Sequence, residues 1–163
     1  MSPARATPAD TKAIRAFLTE ADLTLAGLEE PTVRLWIERD SSGRIVGSTG
    51  FELSGDGRHA LIRSVAVAHG RRSIGAGTGL ARFSLARAVE AGAGRAWLFS
   101  RRSGPFWQSL GFEAADRDEL AAALPETHQV RLFRDTGQLA RESAWSLALD
   151  HPRPRHSADP PVQ

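Results

Sequence analysis

The sequence predicts an α+β fold, on three observations. Residues 33–67 divide into three β-type runs separated by strong turn signals. A glycine-rich loop then opens into Leu80 to Ala91, a stretch free of Gly and Pro and rich in Ala, Leu and Arg, where helix is favoured. A chain of 163 residues with 41% hydrophobic and 25% charged residues suits one ordinary core. One domain over residues 1–150 is therefore expected.

Taken in order, a short strand ending near Thr7 leads into a helix, because a Thr N-cap followed by Pro8 at the first helical position suits a helix start. Ile14, Phe17, Leu18 and Ala21 give that helix one apolar face. After a looser segment from Leu25 to Pro31 come Val33 to Ile37, Arg44 to Leu53 and Ala60 to Val67. Ser41-Ser42-Gly43 and Ser54-Gly55-Asp56-Gly57 join them as turns, so the three read as an antiparallel meander. Gly92 and Gly94 end the following helix. Arg95 to Phe99 reads as a short buried strand and Pro105 to Leu110 as a short helix; a strand from Phe112, a helix Arg117 to Ala123 and a last strand Ala144 to Leu149 follow. Trp36, Trp97 and Trp145 are expected in the core. Four of the nine prolines fall in the last thirteen residues, so 151–163 is expected to form a disordered tail.

Composition narrows the function. The chain has no cysteine, which removes disulfide scaffolds, thiolate catalysis and iron–sulfur clusters, and its five histidines are scattered, so no metal site is expected. No apolar run is long enough to cross a bilayer and the first ten residues show no signal-type core, so a cytoplasmic protein without membrane partners is expected. The net charge is +2, and Lys12 is the one lysine among 21 basic residues. A near-neutral balance argues against nucleic acid as a partner, while arginine suits planar anions such as phosphate and carboxylate.

The informative stretch is Val65-Ala-Val-Ala-His-Gly-Arg-Arg-Ser-Ile-Gly-Ala-Gly-Thr-Gly79, a strand running through a glycine-rich loop into a helix. Such a loop offers backbone amides at the positive end of a helix dipole, a cradle for a diphosphate. A P-loop requires Gly-Lys-Ser/Thr, and no lysine is present here. A dinucleotide fingerprint requires a third Gly where Leu80 stands, after a strand that opens a βαβ unit.

Arg72-Ser73-Ile74-Gly75-Ala76-Gly77 fits Arg/Gln-x-x-Gly-x-Gly/Ala, and here the chain resembles the GCN5-related N-acetyltransferases (GNAT). Val65-Ala66-Val67 lies upstream, and Phe106-Trp107-Gln-Ser-Leu-Gly111-Phe112 is similar to the family's Phe-Tyr-x-x-x-Gly-Phe, with Gly111 36 residues beyond Gly75. Ser100 and Ser103 fall where the family's Asn and Ala usually precede that block. Leu61 to Val67, Arg117 and the Leu124-Pro125 region look most like the small acetyltransferases of arsenic-resistance operons.

The resemblance implies a mixed, mostly antiparallel sheet flanked by helices and an acetyl-CoA-dependent enzyme. Acetyl passes to the amine of a small molecule by direct attack in a ternary complex. Val65, Ala66 and Val67 would pair with the pantetheine arm. Amides between Arg72 and Thr78 (Ser73, Ile74, Gly75, Ala76, Gly77) would meet the diphosphate, and the Val65 N–H would donate to the thioester carbonyl. Phe106 and Trp107 would flank the pantetheine unless they serve only as core. The acceptor pocket would draw on the first helix, Leu23 to Pro31 and the region after Phe112. The oligomeric state is open, a homodimer included.

Two departures matter. The chain has no tyrosine, and Trp107 stands where the family often offers a phenol to the departing thiolate, leaving water or Ser103 for that step. Arg63 stands where many relatives carry Glu; it would orient an acceptor carboxylate or simply be paired. An alkylamine is neutral at pH 7 in only about one part in a thousand, a handicap of roughly 4 kcal/mol. Glu52, on the adjacent strand, is the expected base; otherwise it is a solvated strand residue or the ion-pair partner of Arg63. Arg72 is expected in the cradle, Arg101-Arg102 in a solvated loop and His69 in a turn. A noncatalytic acyl-CoA-binding module is the alternative to an enzyme.

Overall fold

The computed structural model describes residues 2–71 and 75–149. The residues beyond 149, which include the expected tail, lie outside it. Seven strands form one sheet in the order β1-β2-β3-β4-β5-β7-β6. These are β1 (Ala4–Arg5), β2 (Val33–Arg39), β3 (Ile45–Leu53), β4 (His59–Val67), β5 (Arg95–Phe99), β6 (Glu113–Ala115) and β7 (Ala144–Ala148). All neighbours are antiparallel except β4 and β5. The meander expected over 33–67 is therefore β2-β3-β4, and the glycine-rich loop leads into the crossover to the parallel strand β5.

The helices are α1 (Thr11–Glu20), α2 (Ala76–Glu90), α3 (Gly104–Ser109), α4 (Arg117–Ala123) and α5 (His128–Thr136). Thr7 does start the first helical segment, but by a different bond from an ordinary cap. The Asp10 carboxylate accepts from the Thr7 amide at 2.8 Å and from its hydroxyl at 3.1 Å, and Pro8–Asp10 forms a 3-10 turn ahead of α1. Those bonds, the Thr7 amide foremost, hold the Asp10 carboxyl below its ordinary range. Helix α2 begins four residues earlier than the Gly-free stretch predicts, so Gly77 and Gly79 lie inside its first turn. Helix α5 has no counterpart in the sequence reading.

Alternation along β4 distributes the layers. Ala60 and Ile62 face the cluster under α2 and α3, with Phe51, Ala81, Ala88, Leu98 and Trp107, whereas Leu61 faces Leu120, Leu124 and Val130 of the α4–α5 side. Helix α1 covers the far end of that second face through Ile14 and Leu18 on Val33, Leu35 and Ile37. Trp97 is 6% exposed, while Trp36 and Trp145 are half-buried and pack against the first cluster. Small residues let α2 sit close to β3: the Ser84 hydroxyl donates to the Gly50 carbonyl at 3.0 Å and the Thr49 hydroxyl to the Leu80 carbonyl at 2.9 Å.

Gly50 has no room for a side chain. A Cβ there would stand 2.4 Å from the Arg34 carbonyl oxygen, a backbone atom that no rotamer change relieves. Gly50→Ala is expected to destabilise the fold by about 3 kcal/mol, the upper end of ordinary overpacking. Urea unfolding checks it, and a loss below about 1 kcal/mol would show that β2 and β3 part easily.

Candidate active site

The site begins where the one parallel ladder stops. Strands β4 and β5 pair only at His59, Ala60 and Leu61 against Arg95, Ala96 and Trp97. Beyond that, β4 carries a bulge: Ser48 pairs with Ala66 and Gly50 with Arg63, so Ser64 and Val65 together oppose Thr49. Ser64 takes the left-handed conformation, with φ of 61°, and the Ser48 hydroxyl donates to its carbonyl at 2.6 Å. The bulge turns the end of β4 away from β5. On the other side, the Ser100 hydroxyl accepts from the Ser103 amide at 3.0 Å, and the Trp145 indole donates to the Ser100 carbonyl at 2.9 Å.

Between these edges lies a cleft of about 820 Å³. Val65, Ala66 and Val67 form one wall, and Ser100, Ser103, Phe106 and Trp107 belong to the other. The structure thus brings the two sequence blocks, 65–67 and 100–107, to one cavity. Phe106 and Trp107 meet edge to face at 4.9 Å, and Trp107 packs in turn on Phe112 at 5.3 Å, so Trp107 joins the core as well as the wall. Gly77 lines the same cleft, and its α-carbon faces the Phe106 ring.

Gly75 caps α2 with φ of 91°, a conformation that suits glycine. The Gly79 amide closes the first turn on the Gly75 carbonyl at 2.9 Å. The amides of Ala76, Gly77 and Thr78 precede that bond and have no partner among the described residues, as helix geometry requires. Arg72, Ser73 and Ile74 lie outside the described residues. His69 sits in a 3-10 turn, His69–Arg71.

Glu52 and Arg63 do not line this cleft. Both are buried, 1% and 3% exposed, and paired at 3.0 Å. Glu52 also accepts from the His128 amide at 2.7 Å and meets the His128 ring Nδ1 at 2.9 Å, a contact that needs the proton on Nδ1. The Arg63 guanidinium donates to the Ala26 carbonyl and, from Nε, to the Ser64 hydroxyl at 3.1 Å. Burial pulls Arg63 below its ordinary pKa, and Glu52 opposes that shift. Of the readings weighed for these residues, the observed contacts are those of an ion pair: Arg63 reaches no open space in which to meet an acceptor carboxylate.

The cleft is also lined by residues that sequence reasoning did not single out, among them Asp22, Gln129, Gln138 and Glu142. Asp22 pairs with Arg102 across the rim at 2.6 Å, both largely exposed. Glu142, Gln129 and Gln138 line the deeper part, from the segment before β7, from α5 and from a 3-10 turn, Gln138–Arg141. Arg101 lies 3.4 Å from Glu142, so Arg101 and Arg102 both have acidic partners. A Thr127 N-cap ahead of Val130 and Phe133 was the available signal for α5.

With that geometry in hand, known proteins can be set beside the chain. A profile described as "Acetyltransferase (GNAT) family" matches residues 6–112. No curated protein matches. N-acetylglutamate synthase from Neisseria gonorrhoeae, solved with coenzyme A and N-acetyl-glutamate, superposes with a TM-score of 0.71 at 21% identity over 93% of this chain, which spans 36% of the synthase. A Mycobacterium tuberculosis protein solved with CoA gives 0.71 at 19% identity, covering 92% of this chain and 100% of that one. An aminoglycoside 6'-N-acetyltransferase complexed with coenzyme A gives 0.64 at 12%, over 94% and 99%. At such identities these structures show a shared fold, while the profile match covers well over half of the chain and includes the cleft residues 65–67 and 99–107: the chain belongs to the acetyltransferase (GNAT) family of acyltransferases.

Proposed function

We propose that the chain transfers an acetyl group from acetyl-CoA to the amine of a small molecule by direct attack in a ternary complex. The observation that carries this reading is the cleft between the parted ends of β4 and β5, with a bulged strand on one side and a helix N-terminus at its mouth. Acetyl-CoA supplies a thioester carbonyl for the amine to attack. The described residues fit it: the main chain of Val65 and Ala66, past the end of the β4–β5 ladder, offers an open strand edge, and the amides of Ala76, Gly77 and Thr78 offer donors for a diphosphate. We assign to the Val65 amide the donation to the carbonyl oxygen on which negative charge builds. Ser103 or water returns a proton to the sulfur, since a thiol of pKa about 8.5 leaves with little help.

Glu52 and Arg63 are assigned positioning roles. Arg63 holds the Ala26 carbonyl of the segment after α1 and Glu52 holds the first amide of α5, so one buried pair fixes both sides of the acceptor end. Leu61 to Val67, Arg117 and Leu124-Pro125 further support a place beside the arsenic-resistance-operon acetyltransferases, so amino-acid-like antimetabolites belong among the amines tried.

Amine-dependent release of free thiol from acetyl-CoA tests the activity; tight CoA binding without such release would favour a binding module. Thr78→Glu places a carboxylate in the first turn of α2, where it suits the helix dipole but repels a diphosphate. Acetyl-CoA affinity is expected to fall about tenfold or more with the melting temperature unchanged or raised, and titration calorimetry reads it. Unchanged affinity would move the diphosphate elsewhere. Glu52→Gln is expected to cost about 3 kcal/mol, because Arg63 keeps its charge in a buried site. The pH dependence of turnover should keep its shape; loss of its acidic limb would return Glu52 to proton transfer.

A further inference from the structure

Two side chains on the cleft wall are built to accept hydrogen bonds that the described protein does not supply. Glu142 is 7% exposed and Gln129 8%, and both line the cleft. The Gln138 amide donates to Glu142 Oε2 at 2.8 Å, and Arg101 stands 3.4 Å from the same oxygen. Glu142 Oε1 receives no hydrogen bond among the described residues. Gln129 Oε1 is buried with no partner among the described residues. An unsatisfied buried acceptor such as Gln129 Oε1 costs about 1–3 kcal/mol, and beside it on the same cavity stands a carboxylate with one oxygen uncommitted; together they mark a place where a donor belongs.

We propose that Glu142 and Gln129 form the seat for the acceptor's ammonium group, and that Glu142 takes the proton that must leave before attack. This rests on the acetyltransferase reading above and assigns the substrate-contacting carboxylate within it. The ligand is a small alkylammonium compound: two acceptor oxygens, one of them charged, match a group with several N–H donors and a positive charge. Glu142 is held for the task from three directions, by Gln138, by Arg101 and by Arg117, whose guanidinium donates to the Glu142 carbonyl at 3.2 Å. Arg101 and Arg117 are the charged groups that face it, and the Asp22–Arg102 pair lies farther out on the rim.

The proton account closes. One proton passes from the ammonium to Glu142, and the freed nitrogen lone pair forms the C–N bond to the thioester carbonyl carbon. The C–S bond breaks and the sulfur takes the electron pair. A second proton leaves nitrogen for that sulfur, and Glu142 returns the first proton to solvent. The products are an amide, CoA thiol and one proton released.

The experiment compares wild type, Glu142→Gln and Gln129→Met on L-amino acids, diamines and aminoglycosides, with acetyl-CoA affinity and melting temperature measured for each protein. Glu142→Gln is expected to lose about a hundredfold in kcat/KM at pH 7 and to approach wild type near pH 10, where solvent has already deprotonated the amine. Gln129→Met is expected to raise the amine KM about tenfold with kcat little changed. Acetyl-CoA affinity should be kept by both. A Glu142→Gln enzyme that turns over within about twofold of wild type at pH 7, or whose deficit is the same at pH 7 and 10, overturns the proposal and leaves the acetyltransferase reading standing. Wild-type protein that binds acetyl-CoA yet releases no thiol with any of these amines overturns both. If Glu142→Gln does not fold, a wild-type KM for Gln129→Met overturns the seat.

Discussion

Among the described residues seven strands make one sheet, one pair of them runs parallel, and that pair is joined over just three residues on each side. The rest of the molecule depends on this short junction. Had the ladder continued past Leu61, the two remaining residues of β5 would pair with the next residues of β4 and the cleft would be closed at its base. The bulge at Ser64 and Val65 prevents it, because an extra residue in β4 bends the strand and raises its local twist. A serine in the left-handed region is strained by about 1–2 kcal/mol, and the 2.6 Å bond from Ser48 to the Ser64 carbonyl helps hold it there. The neighbouring strand β5 is free to diverge because its other edge is satisfied by β7 along all five residues.

The same bulge explains the buried ion pair. Up to Arg63, odd-numbered residues of β4 face α4 and α5, so the register that buries Leu61 also buries the arginine two positions on. A guanidinium there must be paired, and Glu52, directly opposite Leu61 on β3, is the acid the register brings to that face. Such a pair contributes little net stability over an apolar substitute. What it adds here is connectivity: its hydrogen bonds reach the Ala26 carbonyl, the Ser64 hydroxyl and the His128 amide, tying the bulge to both segments at the acceptor end.

Much of this was legible in the sequence, for local reasons. The meander announced itself by alternation and turn glycines, and the boundaries of Arg95–Phe99 and Arg117–Ala123 were read correctly because short apolar runs or cap residues bracket them. The glycine-rich loop was found by residue type and the Phe106-Trp107 block by its resemblance to a family motif, and both contribute to the cleft. Two kinds of information were not local. The pairing of Glu52 with Arg63 is a matter of register, which alternation alone leaves open by two residues in either direction. Helix α5 was missed because Leu124-Pro125 reads as a break and because only Val130 and Phe133 among its apolar residues are buried. Missing α5 also hid Gln129, and the polar run before β7 hid Glu142 among ordinary surface residues.

That division follows the chemistry. A coenzyme with a strand-like arm and a diphosphate is met by main chain, and main chain is readable from the residues that permit its conformations: glycine at 75, small residues at 66 and 76, alternation from 60 to 67. Trp107 packs against Phe106 and Phe112, so a core indole stands at the position where the family resemblance implies a phenol. Choice of acceptor has no such template. It depends on side chains brought together by the insertion of β7 between β5 and β6, with the segment before it carrying Glu142 into the cleft from more than seventy residues beyond Val67. A long-range strand order thus decides which acid meets the amine, and it leaves no spacing in the sequence by which that acid can be recognised.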